Sequence, residues 1–304
     1  MRFILSRHLA HFNAVYDAGS LRAAASEVGL SQAALSKSLQ QFEHLAGLQL
    51  FDRTTKGLMP TAWAHVLRQR ARVLARELDI TQWELDAVTH RLKGHLKVCV
   101  GPVWNEAFLP EILPAFLRLQ PGIRVNVSVG SCADALNQIR EGSLDIYLGV
   151  LPTTMDDELL QALPMLDMSL GFFARESHPV LRKRALTLQD MREYPWIGFS
   201  LNDRLVQLID HDMGLNGEHA PGLELSVPTA SALGEVVVHG DHLAVVSDAM
   251  APVLAAKGVV RVPLQDVFSR YSTGMVCRGS LLEFAPAREF RDVCQRVVSP
   301  RAPA

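Results

Sequence analysis

From Thr61 to Lys93 the chain reads TAWAHVLRQRARVLARELDITQWELDAVTHRLK, thirty-three residues without a glycine or a proline. Nothing in it interrupts a helix, and at 1.5 Å rise per residue such a helix spans on the order of 45–50 Å. Ala64, Ala71, Leu78, Leu85 and Leu92 recur every seven residues, and Leu67, Leu74, Thr81 and Val88 form a second sevenfold series. Two seams make a stripe too narrow for a domain core and the right width for a partner helix. The pattern predicts a linker and dimerisation helix over residues 62–93, with Leu67, Ala71, Leu74, Leu78, Leu85, Val88 and Leu92 at its seam. The alternative is a long helix packed on its own C-terminal domain.

A helix of that kind divides the chain into a short part before it and a long part after. Before it, Ser6 can cap a helix carrying Leu9, Phe12 and Val15/Tyr16 on one face, and Gly19 ends it. Ser20 caps a second helix with Leu21, Ala24, Ala25 and Val28 at i, i+3, i+4 and i+7. Gly29 supplies a left-handed terminus, and Ser31 caps a third helix with Leu35, Leu39 and Phe42 inward. Small alanines let the third helix cross the second closely. Helix, glycine turn, helix is the spacing of a helix-turn-helix.

At roughly 100° per residue, with Leu35 inward, Ala33, Lys37 and Gln40 point outward, Ser36 flanks them and Gln32 lies in the first turn. Amides, hydroxyl and ammonium on one face, with almost no acid, suit base edges and phosphates in a major groove. A plain solvated face on a helical hairpin is the competing reading. The neighbouring stretch favours the groove: LQLFDRTTKGLMPT reads as two short strands around Thr54 to Gly57, a wing with Arg53 and Lys56 near its tip for backbone phosphate. Residues 1–93 also hold 12 Lys+Arg against 8 Asp+Glu, while residues 94–304 hold 18 against 24, which suggests a polyanion partner for the front third.

Phe12, Val15, Gly19-Ser20, Ala23-Ala24, Ser31-Gln32, Ser36, Phe42-Glu43, Gly47, Leu50-Phe51, Arg53 and Thr61 together resemble the N-terminal signature of LysR-type transcriptional regulators, ungapped over about sixty residues. The chain departs from that signature at Ala33, where proline is common, at Phe42, where leucine is common, and at Trp63, where a glycine usually stands. The resemblance implies a winged helix-turn-helix in residues 1–61, a dimer on residues 62–93, and a tetramer. It also implies an interrupted palindromic operator on double-stranded DNA, with RNA polymerase a candidate partner.

After Gly94 the sequence alternates strands with amphipathic helices. LKVCVG, RVNVSVG, LDIYLGV, MSLGFFA, WIGF, LELSV, HLAVVS, RVPL and YSTGMVC read as strands, and a last helix runs from Pro286 to Val298. The alternation predicts a mainly parallel sheet covered on both faces. Two α/β subdomains are expected, one near 94–164 and 269–304, the other near 165–268, with a pause at Leu163–Asp167 as one crossover. This half resembles the effector-binding domain of the same family, which is similar in fold to type 2 periplasmic binding proteins. GSLDIYLG and HGDHLAVVS carry that likeness.

Ligands in open α/β sheets bind beyond the carboxyl ends of strands, and paired subdomains form a cleft. Those ends bring forward Pro102, Val103, Trp104, Ser131, Cys132, Phe199, Ser200 and Ser247 as effector-binding residues. Ser131 and Ser200 at helix starts could hold a carboxylate and Trp104 and Phe199 could cover an apolar body, so a small anionic effector is expected. The HGDH run from His239 to His242 is read as a turn, and Asp156-Asp157-Glu158 as an exposed helix start.

Other classes fare poorly. No Rossmann, P-loop, serine-elbow or zincin motif occurs, so neither enzyme nor cofactor is expected. Four scattered cysteines, Cys99, Cys132, Cys277 and Cys294, support neither a metal site nor a disulfide framework; buried reduced thiols are expected, with Cys132 the candidate for any redox role. Arg7, His8 and His11 fall where a signal peptide would be apolar, and no apolar run approaches eighteen residues, so a cytoplasmic protein without membrane insertion is expected. The expectation is a transcriptional regulator modulated by a small molecule. The rival is a cytoplasmic solute-binding or enzymatic α/β protein with a helical oligomerisation head.

Overall fold

The computed structural model describes residues 7–54, 57–88, 94–155, 157–199, 203–213, 224–264 and 267–299. The chain divides into two compact units, one essentially the residues up to Leu85 and the other those from Asp86.

In the first unit α1 (Arg7–Ala18), α2 (Leu21–Glu27) and α3 (Gln32–Ala46) precede a two-stranded antiparallel hairpin, β1 (Phe51–Thr54) and β2 (Gly57–Pro60), and the long α4 (Ala62–Val88). The caps are where the sequence puts them: Ser20 Oγ accepts from Ala23 N at 3.1 Å, and Ser31 Oγ accepts from Ala34 N at 3.2 Å. Ser6 lies outside the described residues. Gly29, at φ +69°, turns the chain between α2 and α3, a conformation that costs a residue with a Cβ. The core is aromatic at its centre, where Phe12 meets Phe42 and Phe51 with ring centroids 5.8 and 5.7 Å apart. Leu35, Leu39, Phe42, Ala24 and Ala25 close around it, as do Ala64 and Ala71 from α4.

The second unit carries two five-stranded sheets. The first is ordered β4-β3-β5-β12-β6, from β3 (Gly94–Val100), β4 (Ile123–Val129), β5 (Ile146–Val150), β6 (Leu160–Met168) and β12 (Tyr271–Arg278). The second is ordered β11-β7-β10-β8-β9, from β7 (Leu170–Arg175), β8 (Trp196–Phe199), β9 (Leu225–Val227), β10 (Leu243–Ser247) and β11 (Val259–Arg261). Helices α5 (Pro102–Ala107), α6 (Leu109–Leu119), α7 (Cys132–Arg140), α8 (Leu188–Met191), α9 (Asp203–Asp212), α10 (Ala230–His239), α11 (Ala251–Ala255) and α12 (Ala285–Val298) connect and cover them. Phe116 of α6 and Phe290 of α12, 5.1 Å apart and edge-on, join the two ends of the unit over the first sheet.

Four expectations are corrected. The sheets are mixed rather than mainly parallel: β3 runs parallel to β4 and β5, but β12 pairs antiparallel with both β5 and β6, because the chain returns from the second sheet in the opposite sense. The expected pause at Leu163–Asp167 lies inside β6, an edge strand, and the chain passes between sheets at Ser169, splitting MSLGFFA in two. The strand expected at RVPL is centred earlier, at Val259–Arg261. Asp157 and Glu158 sit in a turn leading into β6 instead of opening a helix, and Asp156 lies outside the described residues.

Candidate functional site

Two places are the candidates. The first is the outward face of α3. Gln32, Ala33, Lys37 and Gln40 are exposed and Ser36 is half-buried, while Leu35, Leu39 and Phe42 on the opposite face are buried. The geometry of this face is therefore fixed by the core behind it. Four further contacts hold the helix in place. Glu43 Oε1 accepts from the backbone N–H of Leu50 at 2.7 Å and of Phe51 at 3.1 Å, tying the end of α3 to the first strand of the wing. Ser38 on α3 meets two imidazoles from α1, His8 Nδ1 at 2.8 Å and His11 Nδ1 at 2.6 Å. Burial first, then the neighbouring His8 and Arg7, lowers the His11 pKa. Arg53 lies in β1 with its backbone opposite Leu58; its side chain and all of Lys56 lie outside the described residues.

The long helix grows out of this head. Thr61 Oγ1 accepts from Ala64 N at 3.3 Å and donates to Gln49 O at 3.0 Å, capping α4 against the chain before the wing. Asp17 of α1 pairs with Arg68 and, at 3.6 Å, with Arg72. Of the seam residues, Ala71 is buried in the head core and Leu67 packs against it, whereas Leu74, Leu78 and Leu85 are 38%, 55% and 60% exposed. The side chain of Val88 and all of Leu92 lie outside the described residues.

The second place is a cavity of about 310 Å³ between the two sheets of the second unit, at the small end of the roughly 300–1,000 Å³ typical of ligand pockets. Pro102, Val103 and Trp104 line it from the first turn of α5 after β3, Ser131 and Cys132 from the start of α7 after β4, Phe199 from the end of β8, and Ser247 from the end of β10. Parallel strands β3 and β4 point their carboxyl ends at it, which is why a strand-end rule reaches these residues. Ser200 lies outside the described residues.

Sequence reasoning missed Tyr147, Met168, Leu170, Tyr271 and Thr273, which also line the cavity. For Tyr147 a signal existed. Gly149 follows it on the same face of β5, and a Cβ at Gly149 would lie 2.2 Å from the Tyr147 hydroxyl, so the ring as placed lies over space that the glycine leaves open. Burial drives the Tyr147 phenol well above its ordinary pKa and pushes that of Tyr271 up to about 12. Trp104 is buried, and its indole N–H has no hydrogen-bond partner among the described residues. The wall offers the expected anionic ligand no cationic side chain among the described residues. At the other end of β10 from Ser247, the HGDH turn is fixed by Arg175, whose Nε donates to Gly240 O at 3.0 Å and whose guanidinium meets Asp241 at 2.7 Å.

A winged helix-turn-helix on a long helix, followed by a two-sheet α/β unit closing on a small-molecule cavity, defines a ligand-responsive DNA-binding protein. Comparison with known proteins makes the class specific. Residues 6–65 match the family described as bacterial regulatory helix-turn-helix protein, lysR family, and residues 89–299 match the LysR substrate binding domain. The chain belongs to the LysR family: it is a DNA-binding transcriptional regulator with an effector-binding domain, not an enzyme. It is 27% identical over 289 residues to the SDS degradation transcriptional activation protein of Pseudomonas sp. (strain ATCC 19151), covering 92% of this chain and 85% of that one. Its fold is similar to the full-length LTTR LysG of Corynebacterium glutamicum with bound effector Arg, at a TM-score of 0.67 and 19% identity over 96% and 97% of the two chains. It is similar again to full-length CbnR complexed with its target DNA, at 0.65 and 19% over 98% and 100%. Among the described residues no helix is long and apolar enough to cross a membrane.

Proposed function

We propose that residues 1–61 read an interrupted palindrome through α3, with Gln32, Ala33, Ser36, Lys37 and Gln40 in the major groove and Arg53 and Lys56 of the wing on backbone phosphate. The observation that carries this is the exposed Ser, Gln and Lys face of α3, backed by the buried Leu35, Leu39 and Phe42 and pinned to the wing by Glu43. Residues 62–93 pair two chains. Because Ala71 and Leu67 are engaged by the head, the pairing falls to Leu74, Leu78 and Leu85, with Val88 and Leu92 continuing the seam. Residues 94–304 hold a small effector in the cavity, and its binding changes how the paired heads address the operator. The assembly is a homodimer, or a tetramer made from two, working in the cytoplasm beside RNA polymerase.

Fluorescence anisotropy on the DNA immediately upstream of the protein's own gene, at physiological salt with excess nonspecific competitor, tests the reading. Submicromolar, competitor-resistant binding is expected. Lys37→Ala should weaken it without unfolding the protein, since the side chain is exposed. Affinity unchanged by that substitution at matched salt would remove Lys37 from the interface.

A further inference from the structure

Among the described residues, the serine and threonine hydroxyls of the cavity are already engaged. Ser131 Oγ donates to Asp134 Oδ2 at 2.7 Å, and Thr273 Oγ1 donates to the Leu166 carbonyl at 2.8 Å. Ser247 Oγ donates to Met168 Sδ at 3.4 Å, accepts from Ala249 N at 3.3 Å, and is also hydrogen-bonded to Tyr271. The start of α7, the natural pole for an anion, already has the Asp134 carboxylate in its first turn. Two phenols complete the polar wall, Tyr271, hydrogen-bonded to Ser247, and Tyr147, which accepts from the backbone of Val150 and keeps its own proton to give. The indole N–H of Trp104 is covered, so it reaches a ligand only if the ring turns.

A carboxylate entering this space would leave its water and meet no cationic side chain among the described residues. Burying such a charge without partners is costly. An apolar ring, by contrast, gains contact from Trp104, Phe199, Val246 and Leu170. We propose that the effector is an uncharged, mostly apolar molecule carrying a flat ring, with one hydrogen-bond acceptor directed at the Tyr147 hydroxyl. This rests on the reading of the cavity as the effector site and replaces the anionic ligand expected from the strand ends.

The test is calorimetry on the full chain at neutral pH with three ligands of one shape: acetophenone (neutral, one acceptor), benzoate (anionic) and ethylbenzene (no acceptor). Acetophenone should bind at least tenfold more tightly than benzoate. Tyr147→Phe should weaken acetophenone about fivefold, the loss of a single hydrogen bond, and leave ethylbenzene unchanged. Benzoate binding as tightly as acetophenone would overturn the uncharged class and leave the cavity as the effector site. An acetophenone affinity untouched by Tyr147→Phe would overturn the acceptor assignment. No binding by any of the three would overturn the cavity as a site for such a ring, while the regulator reading stands or falls on its own operator assay.

Discussion

Glu43 ties α3 to the wing through one carboxylate oxygen. One of its oxygens takes two adjacent amides, Leu50 N at 2.7 Å and Phe51 N at 3.1 Å, both on residues at most 5% exposed. Glu43→Ala strands both donors near the core, where each hydrogen bond to a charged acceptor is worth about 1.5–3 kcal/mol. Water entering the space vacated by the side chain recovers part of that, so a net local loss of about 2 kcal/mol is expected, roughly 30-fold in an opening equilibrium. Hydrogen exchange read by mass spectrometry on a peptide spanning Leu48–Asp52 should therefore speed up by that factor. Exchange in α1 should change little. Glu43→Gln keeps an amide oxygen as acceptor and should give a smaller effect, near fivefold. If Glu43→Ala leaves exchange at Leu50 and Phe51 within twofold of the parent, the carboxylate is not what fixes the wing to α3.

Two more outcomes rest on the same kind of geometry. Leu78→Asp places a charge at the most central of the exposed seam leucines, and light scattering should show the assembly shifting to smaller species with the secondary structure intact; an unchanged mass would remove Leu78 from the seam. In the second unit, hydrogen bonds from Lys183 and then from Thr187 lower the Asp190 pKa to about 2, so the link contributes fully above the ordinary value of 3.8 and is lost as pH falls through about 2. A carbon-detected titration should find that low midpoint, and Lys183→Met should move it toward 3.8; a midpoint of 3.8 in the parent protein would dismiss the link.

Periodicity made the head legible, because burial in a helix is a function of angle. Leu35, Leu39 and Phe42 read as inward from spacing alone and are buried, and Ser20 and Ser31 read as caps because a cap is a local hydrogen bond. The strand over Leu160–Met168 was illegible for the opposite reason. It contains Pro164, which lacks the N–H a central strand needs, and reads as a break. The fold tolerates the proline because β6 lies at the sheet edge and the register with β12 slips at Thr273/Gly274, beside that proline. Glycine is required there: a Cβ on Gly274 would stand 2.1 Å from the Leu163 carbonyl oxygen. In the same way Ala71, an apparent seam residue, is claimed by the core of its own head, since a sevenfold repeat states which residues share a face and not what covers it.

At the cavity the sequence indicates position better than chemistry. Strand ends are local features, so Trp104, Ser131 and Phe199 could be placed at its rim, whereas Tyr271 and Thr273 enter from a strand that returns more than a hundred residues after β3 and carry no local mark. The class of ligand depends less on which polar residues line the wall than on whether their protons are free. One such commitment was readable: Ser131 and Asp134 have the spacing of a helix cap, and the serine's proton goes to that aspartate. The other was not, since the proton of Thr273 goes to Leu166, far off in sequence and adjacent only once β12 lies along β6. A serine or threonine whose proton is already given can pack against a ligand but cannot donate to it, and a cavity furnished with such groups selects an uncharged ring over an anion.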